Sequence, residues 1–282
     1  MLNIKYVKMK KISSFIILTL ISAISFTSCL NDENYDSATD FGVFDISNGA
    51  PVLKGLGPTV NATELVSYFN AGYLTLGDCY LYSYTIHWDL PENTEEMFEA
   101  NGYYKVTING IRPYNQLYIN SSLNDTSTVA YNEYPVEDIL IANDYYGYSR
   151  GYFFMTHRVK KAEEVELSWS VSYDAETMTP TEDDNGARHY DLFIRASKTS
   201  DSDKDYLLDH HYYNALNIRD YLMDMAVKEK EHLQIKGVYS ADSRLSIRFN
   251  YVSAINDGEI TWDSKEYVLY IDAFLKAHQV SN

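Results

Sequence analysis

The chain has 282 residues, and 40 acidic against 23 basic residues give it a formal net charge of −17. This excess of carboxylates repels nucleic-acid phosphates and anionic lipid headgroups, and no basic stretch offsets it, so we expect no nucleic-acid partner. Tyrosine is frequent, with 27 tyrosines against 11 phenylalanines. Because tyrosine favours β-strands and half-buried surfaces, the composition indicates a β-rich protein.

The amino-terminal residues predict an export signal. Four lysines in the first 11 residues precede a mostly apolar run at residues 12–26. The run is too short and too rich in serine to span a bilayer, and it lacks the amphipathic face that a buried helix shows. We therefore interpret residues 1–28 as a signal peptide.

Cys29 directly follows the small residues Thr27 and Ser28 at the end of this run. The stretch FTSC resembles a bacterial lipobox, in which the cysteine thiol is joined to diacylglycerol and then becomes the first residue of the mature chain. The resemblance implies that Cys29 carries a diacylglycerol and an acyl chain, and we expect no other cofactor. Each buried methylene contributes about 0.8 kcal/mol, so more than one chain is needed for stable anchoring.

The acidic stretch after Cys29, LNDENYDSATD, resembles the surface-export signal of Bacteroidota lipoproteins. The resemblance implies an outer-membrane protein that is lipid-anchored and exposed on the cell surface. Within the stretch, Asp36-Ser37-Ala38 also resembles the O-glycosylation site of that phylum. We interpret residues 29–40 as an acidic tether.

Residues 41–120 show short apolar runs separated by turn residues, which predicts a small β-barrel of about five strands. The stretch YYKVTINGI alternates apolar and polar residues, as a half-buried strand does. Cys79 lies in another strand pattern and is expected to be a small buried hydrophobe, since the other cysteine is committed to lipid. The polar, turn-rich residues 121–135 are interpreted as a linker.

Residues 136–282 are predicted to form an antiparallel β-sandwich, because strand patterns of similar spacing recur along them. The clearest pattern is VELSWSVSY, in which every second residue is apolar or aromatic. Residues 218–230 differ: their apolar residues fall on one helical stripe with charges opposite, and Asn217 is a suitable N-cap. We expect one amphipathic helix there, packed on the sandwich.

Three strand motifs and their order carry a family resemblance. They are a Gly-Asp pair before YTI at residues 84–86, KVTI at residues 105–108 and LFIR at residues 192–195. This layout resembles the NigD-like lipoproteins of Bacteroidota. The resemblance implies an OB-type barrel followed by a β-sandwich, and it implies no active site because the family has no established activity.

Several motifs that carry chemistry are absent from the sequence, among them the phosphate-binding loop, the dinucleotide fingerprint and the HExxH zinc motif. His210 and His211 are adjacent, so on a strand they point to opposite faces and do not chelate one metal. With 40 acids some carboxylate pair is inevitable, so abundance does not indicate glycoside hydrolysis. We expect a non-catalytic protein, with a cryptic hydrolase as the less favoured alternative.

Asp201, Asp203 and Asp205 occupy positions 1, 3 and 5 of a calcium-loop pattern. Two later positions depart from it, since Tyr206 stands in place of the usual glycine and Tyr212 in place of the bidentate glutamate. A solvated acidic hairpin is therefore the preferred interpretation, and calcium binding is the alternative.

The stretch YYGYSRGYFF is the most site-like part of the sequence. Tyr145, Tyr146 and Tyr148 offer aromatic faces that stack on sugar rings, and Arg150 offers hydrogen bonds to sugar hydroxyls. The preferred interpretation is a strand–turn–strand unit bent at its two glycines, with the tyrosines covering the core rim. Trp169 is a further candidate for an exposed aromatic platform.

These patterns together predict a non-catalytic lipoprotein on the surface of the outer membrane, with a role in binding or assembly. A carbohydrate-binding lipoprotein of a glycan-uptake system is the alternative. The expected partners are the outer membrane itself, through the lipid anchor, and a glycan or protein outside the cell.

Overall fold

The computed structural model describes residues 34–123, 125–141, 147–176, 179–184, 186–204 and 206–279. The chain divides into two compact units, residues 1–113 and 114–282. The predicted signal peptide and Cys29 lie outside the described residues. Among the residues that the structure describes, no helix combines the length and the apolar character needed to cross a bilayer.

The first unit is a closed barrel of five strands, which confirms the predicted barrel of about five strands, and the strand order is β1-β2-β3-β5-β4. Its strands are β1 (Tyr35–Ser47), β2 (Ala50–Gly55), β3 (Val60–Asn61), β4 (Cys79–His87) and β5 (Tyr104–Pro113). Helix α1 (Thr63–Asn70) follows β3. A 3-10 turn (Pro91–Asn93) and helix α2 (Glu95–Asn101) connect β4 to β5.

Strand β4 shows how the barrel core forms. Tyr80, Tyr82, Tyr84 and Ile86 are buried, and the residues between them are partly exposed, which is the two-residue period of a strand with one face in the core. They pack against residues from other elements, including Phe44, Leu53, Val60 and Leu65. Cys79 is fully buried, as predicted, and burial raises the pKa of its thiol to about 12.

Strand β1 begins within the segment 29–40 that composition assigns to a tether. Tyr35 pairs with His87, and antiparallel pairing with β4 continues from there. The first residues of β1 alternate between exposed and half-buried, with Ser37 and Thr39 on the exposed side. Polar residues on the outer face of a strand have the same composition as a flexible tether. Composition alone therefore does not distinguish the start of β1 from a tether.

In its described residues, the second unit contains eleven strands and two helices. The strands are β6 (Asn115–Asn120), β7 (Glu133–Tyr134), β8 (Asp138–Ile141), β9 (Tyr148–Ser149), β10 (Tyr152–Lys161), β11 (Leu167–Ser172), β12 (Thr181–Glu182), β13 (Arg188–Lys198), β14 (Leu208–Asn217), β15 (Arg244–Asn256) and β16 (Glu259–Tyr270). The helices are α3 (Arg219–Ile235) and α4 (Ile271–Gln279). The main sheet path runs β16-β15-β13-β11-β6-β14-β10-β8.

Strand β6 links the two halves of this sheet. Its first residues pair with β14 and its last two pair with β11. The halves pack face to face around one core, where the ring of Phe153 on β10 lies 4.6 Å from Phe249 on β15 and 4.7 Å from Tyr267 on β16. The predicted succession of a barrel and a β-sandwich is therefore confirmed.

Three strand pairs of the second unit are parallel and not antiparallel as expected: β6 with β14, β6 with β11, and β13 with β15. Parallel neighbours need a long crossover, which β14 and α3 provide between β13 and β15. The apolar period of a strand is two residues in either orientation, so the sequence pattern does not reveal the difference.

The unit boundary falls earlier than the predicted barrel range 41–120 and linker 121–135. Strand β6 lies inside the first range but pairs within the second unit, and β7 lies inside the predicted linker and pairs with β13. One residue, Tyr114, separates β5 from β6. A connection of one residue carries no turn or linker signal, so the sequence does not show that the barrel ends at β5.

The predicted helix at residues 218–230 corresponds to α3, which buries Tyr221, Leu222 and Met225. Its predicted N-cap is wrong. Ile218 occupies that position, and the N–H groups of Ile218 and Arg219 donate to the carbonyl of Gly151 at 3.0 and 3.2 Å. Helix α4 differs from the prediction, which places one helix in residues 136–282, at 218–230; the apolar residues of α4 continue the pattern of β16 without a break.

Candidate functional site

A polar network lies on β13 and β15, which pair in parallel with Asp191 opposite Arg248. Successive side chains of a strand point to opposite faces. Arg188 and Tyr190 therefore face helix α3, while His189 and Asp191 face the other side. We call the second set, with its partners on β15 and β16, the outer network.

Asp191 is the anchor of the outer network. It accepts hydrogen bonds from Arg248 Nε at 2.6 Å, from Arg248 Nη2 at 2.9 Å and from Asn250 Nδ2 at 2.8 Å, and Thr181 Oγ1 donates at 2.6 Å. Burial raises the pKa of Asp191, but these hydrogen bonds outweigh it and hold the pKa below its ordinary value. The two-point contact fixes Arg248 in place, so this part of the network is rigid.

His189 extends the network towards two carboxylates. Its Nδ1 lies 2.8 Å from Ser246 Oγ, and its Nε2 lies 3.7 Å from Asp183 Oδ2. Ser246 Oγ donates to Glu266 Oε1 at 2.6 Å. Nucleophilic catalysis uses a hydroxyl, an imidazole and a carboxylate. The question is therefore whether His189 can act as a base for the Ser246 hydroxyl.

The hydrogen positions decide what this arrangement can do. A serine hydroxyl has one hydrogen, and Ser246 gives it to Glu266. His189 Nδ1 therefore donates to Ser246 Oγ and does not accept its proton, so the imidazole is not placed as the base that a serine nucleophile needs. Since Glu266 and Asp183 are exposed, the network presents hydrogen-bond acceptors and negative charge to solvent.

The opposite face of β13 holds α3 in place. Glu229 of α3 is buried and accepts hydrogen bonds from Arg188 Nε at 3.2 Å and from the Tyr190 hydroxyl at 2.8 Å. Burial and the neighbouring Glu229 raise the pKa of Tyr190, which stays a neutral donor. These contacts lie between helix and sheet, so we assign them a structural role.

Arg195, further along β13, holds the segment that composition assigns to a linker. Its Nη1 donates to Glu133 Oε2 at 3.0 Å, and its Nη2 donates to the carbonyl of Asp125 at 2.6 Å. Both nitrogens also contact the carbonyl of Thr128, at 3.3 and 3.4 Å. The guanidinium lies 5.2 Å from the ring of Trp262. One buried cation therefore ties the described part of residues 121–135 to the second unit.

His157 lies in the interior and is not available to a ligand. Its Nδ1 is 2.8 Å from Asn214 Nδ2, and Asn115 Nδ2 donates to Asn214 Oδ1 at 3.0 Å. Its ring lies 4.2 Å from the ring of Trp169. Burial lowers the pKa of His157 to about 3, so the ring is neutral. We therefore assign His157 a structural role.

Two of the predicted sugar-stacking residues pack inward. The hydroxyl of Tyr148 is 2.7 Å from His278 Nε2, and its ring lies 5.5 Å from Phe274. Trp169 lies against His157 and packs on the core of the second unit. Tyr145 and Tyr146 lie outside the described residues. The structure thus brings no row of these aromatic faces together on the described surface.

Arg150 lies at a turn and belongs to a motif that the predictions above did not use. Residues 147–151 read GYSRG and match the G-x-S-x-G pattern of nucleophile elbows. Arg150 and Gly151 have φ angles of 52° and 93°, and Ser149 pairs with Tyr152 across them, so they form a tight hairpin turn. An elbow leads from a strand into a helix, whereas this turn joins two strands, so the match does not place Ser149 in an elbow.

The candidate calcium ligands of the alternative interpretation do not form a group in the described residues. Asp201 accepts a hydrogen bond from Lys198 Nζ at 3.1 Å, Asp203 is exposed, and Asp205 lies outside the described residues. Within the described part of the chain, no group of three or more histidine, cysteine, aspartate or glutamate side chains is placed to hold a metal ion. Calcium binding therefore gains no support from the geometry.

Sequence reasoning missed Asp40, a buried carboxylate of the barrel. It accepts hydrogen bonds from the N–H groups of Phe41 at 2.8 Å, Leu56 at 3.3 Å and Gly57 at 3.0 Å, and from the Tyr82 hydroxyl at 3.2 Å. A Cβ atom on Gly55 would lie 2.2 Å from Asp40 Oδ2. The signal in the sequence is a lone acid in the apolar run DFGVF together with the GLG of residues 55–57.

The barrel has a counterpart among known protein families. Residues 33–112 match the family model described as Lipoprotein OB domain, which agrees with the observed limits of β1 and β5. This confirms the OB type of the barrel and, over that range, the resemblance to lipoproteins noted in the sequence. No curated protein matches the chain.

Solved structures are similar to the chain over most of its length. A crystal structure of an uncharacterized protein from Parabacteroides merdae has 19% identity and a TM-score of 0.63, and it covers 83% of this chain and 98% of that chain. Its likeness supports the fold of both units. The descriptions of the family model and of this structure name no catalytic activity.

Two further structures have lower scores. A candidate lipoprotein from Bacteroides fragilis has 10% identity and a TM-score of 0.47, covering 82% of this chain and 97% of its own. A NigD-like immunity protein from Bacteroides caccae has 12% identity and a TM-score of 0.42, covering 86% of this chain and 99% of its own.

Proposed function

We propose that this protein is a surface-exposed lipoprotein of the outer membrane, anchored through a diacylglycerol and an acyl chain on Cys29. It binds or assembles with a partner outside the cell and catalyses no reaction. The observation that supports this most strongly is the match of residues 33–112 to a lipoprotein OB domain. The match begins four residues after the lipobox-like cysteine, so the proposed anchor and the domain are close together in the chain.

The geometry of the outer network favours binding over catalysis. Its serine hydroxyl donates to Glu266, and the carboxylates of Glu266 and Asp183 face solvent. Fixed acceptors on an open strand face suit a partner that offers cationic groups or hydrogen-bond donors. The net charge of −17 favours the same class of partner.

The carbohydrate alternative has less support, because Tyr148 and Trp169 pack inward. We expect a glycan array probed with the purified protein to stay blank. Specific binding that is lost in an Arg150→Ala variant, with unchanged folding, would instead support the alternative.

Anchoring is tested by replacing Cys29 with alanine in a bacterial host that lipidates surface proteins. We expect the variant to lose incorporation of a radiolabelled fatty acid and to leave the detergent phase in phase partition. Cys79→Ala is the matched control, because Cys79 is fully buried, and it should keep both properties. Label retained in Cys29→Ala would contradict anchoring at this residue.

Surface exposure needs a separate measurement. Proteinase K added to intact cells should degrade the wild-type protein and spare a periplasmic marker. A variant with Asp32→Asn and Glu33→Gln should stay membrane-bound but become protected, because the acidic signal is lost. Protection of the wild-type protein on intact cells would contradict exposure while leaving the anchor intact.

A further inference from the structure

One end of the barrel gathers exposed apolar and aromatic side chains. The start of β1 and the end of β4 lie together there, since Tyr35 pairs with His87. The chain that leaves β4 presents Trp88 and Leu90, and α2 presents Met97. The exposed fractions of Tyr35, Trp88, Leu90 and Met97 are 45%, 40%, 41% and 37%. We call these four residues the aromatic end.

The aromatic end is held in a fixed arrangement. The backbone N–H of Trp88 donates to the carbonyl of Asn34 at 2.8 Å. Its ring lies edge-on to Tyr104 at 5.3 Å, and Tyr104 stacks on Phe98 at 4.4 Å. The indole N–H donates to Asp36 Oδ2 at 2.7 Å. Because the partner is a carboxylate that must stay hydrated, the hydrogen bond holds the indole N–H at headgroup depth, where the rest of the ring can contact less polar groups.

The position of this end relative to the predicted anchor is constrained by chain length. Residues 30–34 separate Cys29 from β1, and an extended chain of that length spans at most about 20 Å. The other exposed apolar side chains of the barrel include Tyr73 and Leu76, just before β4. Cys79 and His87 are at opposite ends of β4, so the chain that carries Tyr73 and Leu76 enters this strand about 26 Å along it from the aromatic end.

Charge limits which lipids this end can meet. Asp89, Glu95 and Glu96 are exposed beside it. Carboxylates repel anionic headgroups and stay hydrated, so contact with a bilayer must be shallow and must favour zwitterionic lipid. Tyrosine and tryptophan suit that depth, because their rings are apolar and carry one polar atom.

We propose, on the basis of the anchoring proposed above, that the aromatic end rests on the membrane surface that carries the Cys29 lipid. Trp88 and Tyr35 lie at headgroup level, with Leu90 and Met97 beside them. The barrel is thereby oriented on the membrane, and the surface around Tyr73 and Leu76 points away from it.

The test bypasses natural lipidation. The chain from Cys29 onward, which contains every described residue, is coupled through the Cys29 thiol to maleimide-phospholipid in phosphatidylcholine vesicles. Cys79 is fully buried and does not compete. Quenching of tryptophan fluorescence by phosphatidylcholine brominated near the headgroup then reports contact. Failure of natural anchoring would appear in the fatty-acid labelling described above and would leave this measurement unaffected.

We expect quenching in the wild-type protein and its loss in Trp88→Phe, since Trp88 is the tryptophan at the aromatic end. Trp88→Phe combined with Tyr73→Trp is the matched control, because it moves a tryptophan to an exposed position at the far end, and it should stay unquenched. Adding anionic lipid at low ionic strength should reduce quenching, and salt should restore it. Circular dichroism checks that the variants fold.

Three outcomes would overturn the inference. If the tryptophan fluorescence of the wild-type protein is not quenched, the aromatic end does not contact the bilayer. Equal quenching in Trp88→Phe assigns the contact to another surface. Dimers that form without vesicles and disappear in Trp88→Phe show that a second copy of the chain covers the aromatic end, as sedimentation velocity would reveal.

Discussion

In each unit of the protein, a buried charged side chain fixes a loop through hydrogen bonds. The two side chains, Asp40 and Arg195, differ in the groups that compensate their charge. In the barrel, Asp40 accepts hydrogen bonds from neutral donors, two of them N–H groups of residues 55–57. In the second unit, Arg195 donates to the carbonyls of Asp125 and Thr128 and pairs with Glu133. The barrel thus uses dipoles to hold an anion, and the second unit uses an ion pair.

The difference determines which condition disturbs each loop. Neutral donors replace only part of the hydration of a carboxylate, and burial therefore raises the pKa of Asp40. Its loop is sensitive to pH. The Arg195–Glu133 pair depends instead on both partners, whose side chains are 5% and 0% exposed, because loss of either leaves a charge buried alone.

The largest expected effect is that of Arg195→Met. It leaves Glu133 as an uncompensated buried carboxylate and removes the donors that hold residues 125–128, so we expect a loss of about 3–5 kcal/mol in the free energy of unfolding. Hydrogen exchange should show increased exposure of residues 125–133. Denaturant unfolding of the second unit measures the free energy.

The control for Arg195→Met is the double variant Arg195→Met with Glu133→Leu. Removing both charges eliminates the unpaired carboxylate, so most of the lost stability should return. A double variant as unstable as the single one would show that the carbonyl contacts of Arg195, and not its ion pair, hold the loop.

Asp40→Ala should have the next largest effect. It leaves the N–H groups of Phe41, Leu56 and Gly57 without their acceptor, and we expect the barrel to lose about 2 kcal/mol. Asp45→Ala is the matched control on the same strand. Asp45 pairs with Lys54 at a partly exposed site, so its loss should cost no more than about 1 kcal/mol. Equal losses would contradict a special role for Asp40.

The pH dependence follows from the raised pKa of Asp40. In the folded barrel this group keeps its proton at pH values where the unfolded chain has lost it. Its contribution to the free energy of unfolding is therefore greatest in acid and falls as the pH rises from about 3.8, the ordinary value, through the folded pKa. Asp40→Asn cannot titrate and should lack this component.

The measurement is the difference in unfolding free energy between wild type and Asp40→Asn across a pH series, which cancels the other acids. We expect the difference to fall with rising pH. A difference that rises with pH would show that the hydrogen bonds of Asp40 outweigh its burial and that the dipoles balance the charge as fully as an ion pair does.

The features predicted from sequence are those with a local period. The alternation of Tyr80, Tyr82, Tyr84 and Ile86 identifies a barrel strand, and the stripe on α3 identifies a helix. Pairing partners leave no such trace. Strand β6 follows the barrel after one residue. Its pairing with β11 and β14 depends on contacts with residues that are far away in the chain.

The two loop-holding charges were missed for the same reason. Arg195 reaches its partners across 62 to 70 residues, and several are backbone carbonyls, which every residue type carries. Asp40 likewise binds backbone N–H groups 16 and 17 residues away. The spacing of side chains along the sequence therefore predicts neither the contacts of Arg195 nor those of Asp40. Cys29 is predicted from adjacent residues alone and lies outside the described residues, so it stays a prediction.

The smallest expected effect is that of Ser246→Ala, which tests whether a charge network facing solvent matters as much as the two buried charges. It removes the hydroxyl that bridges His189 and Glu266, which also lie 3.6 Å apart directly, and because Glu266 can hydrate, we expect a loss of about 1 kcal/mol or less. Ser253→Ala is the matched control on the same strand, since Ser253 Oγ donates to the carbonyl of Thr261 at an exposed site.

Wild type and both variants should hydrolyse p-nitrophenyl esters no faster than buffer, because the Ser246 hydrogen is held by a carboxylate and not by the imidazole. Hydrolysis by wild type that disappears in Ser246→Ala would make the outer network catalytic and would overturn the non-catalytic role.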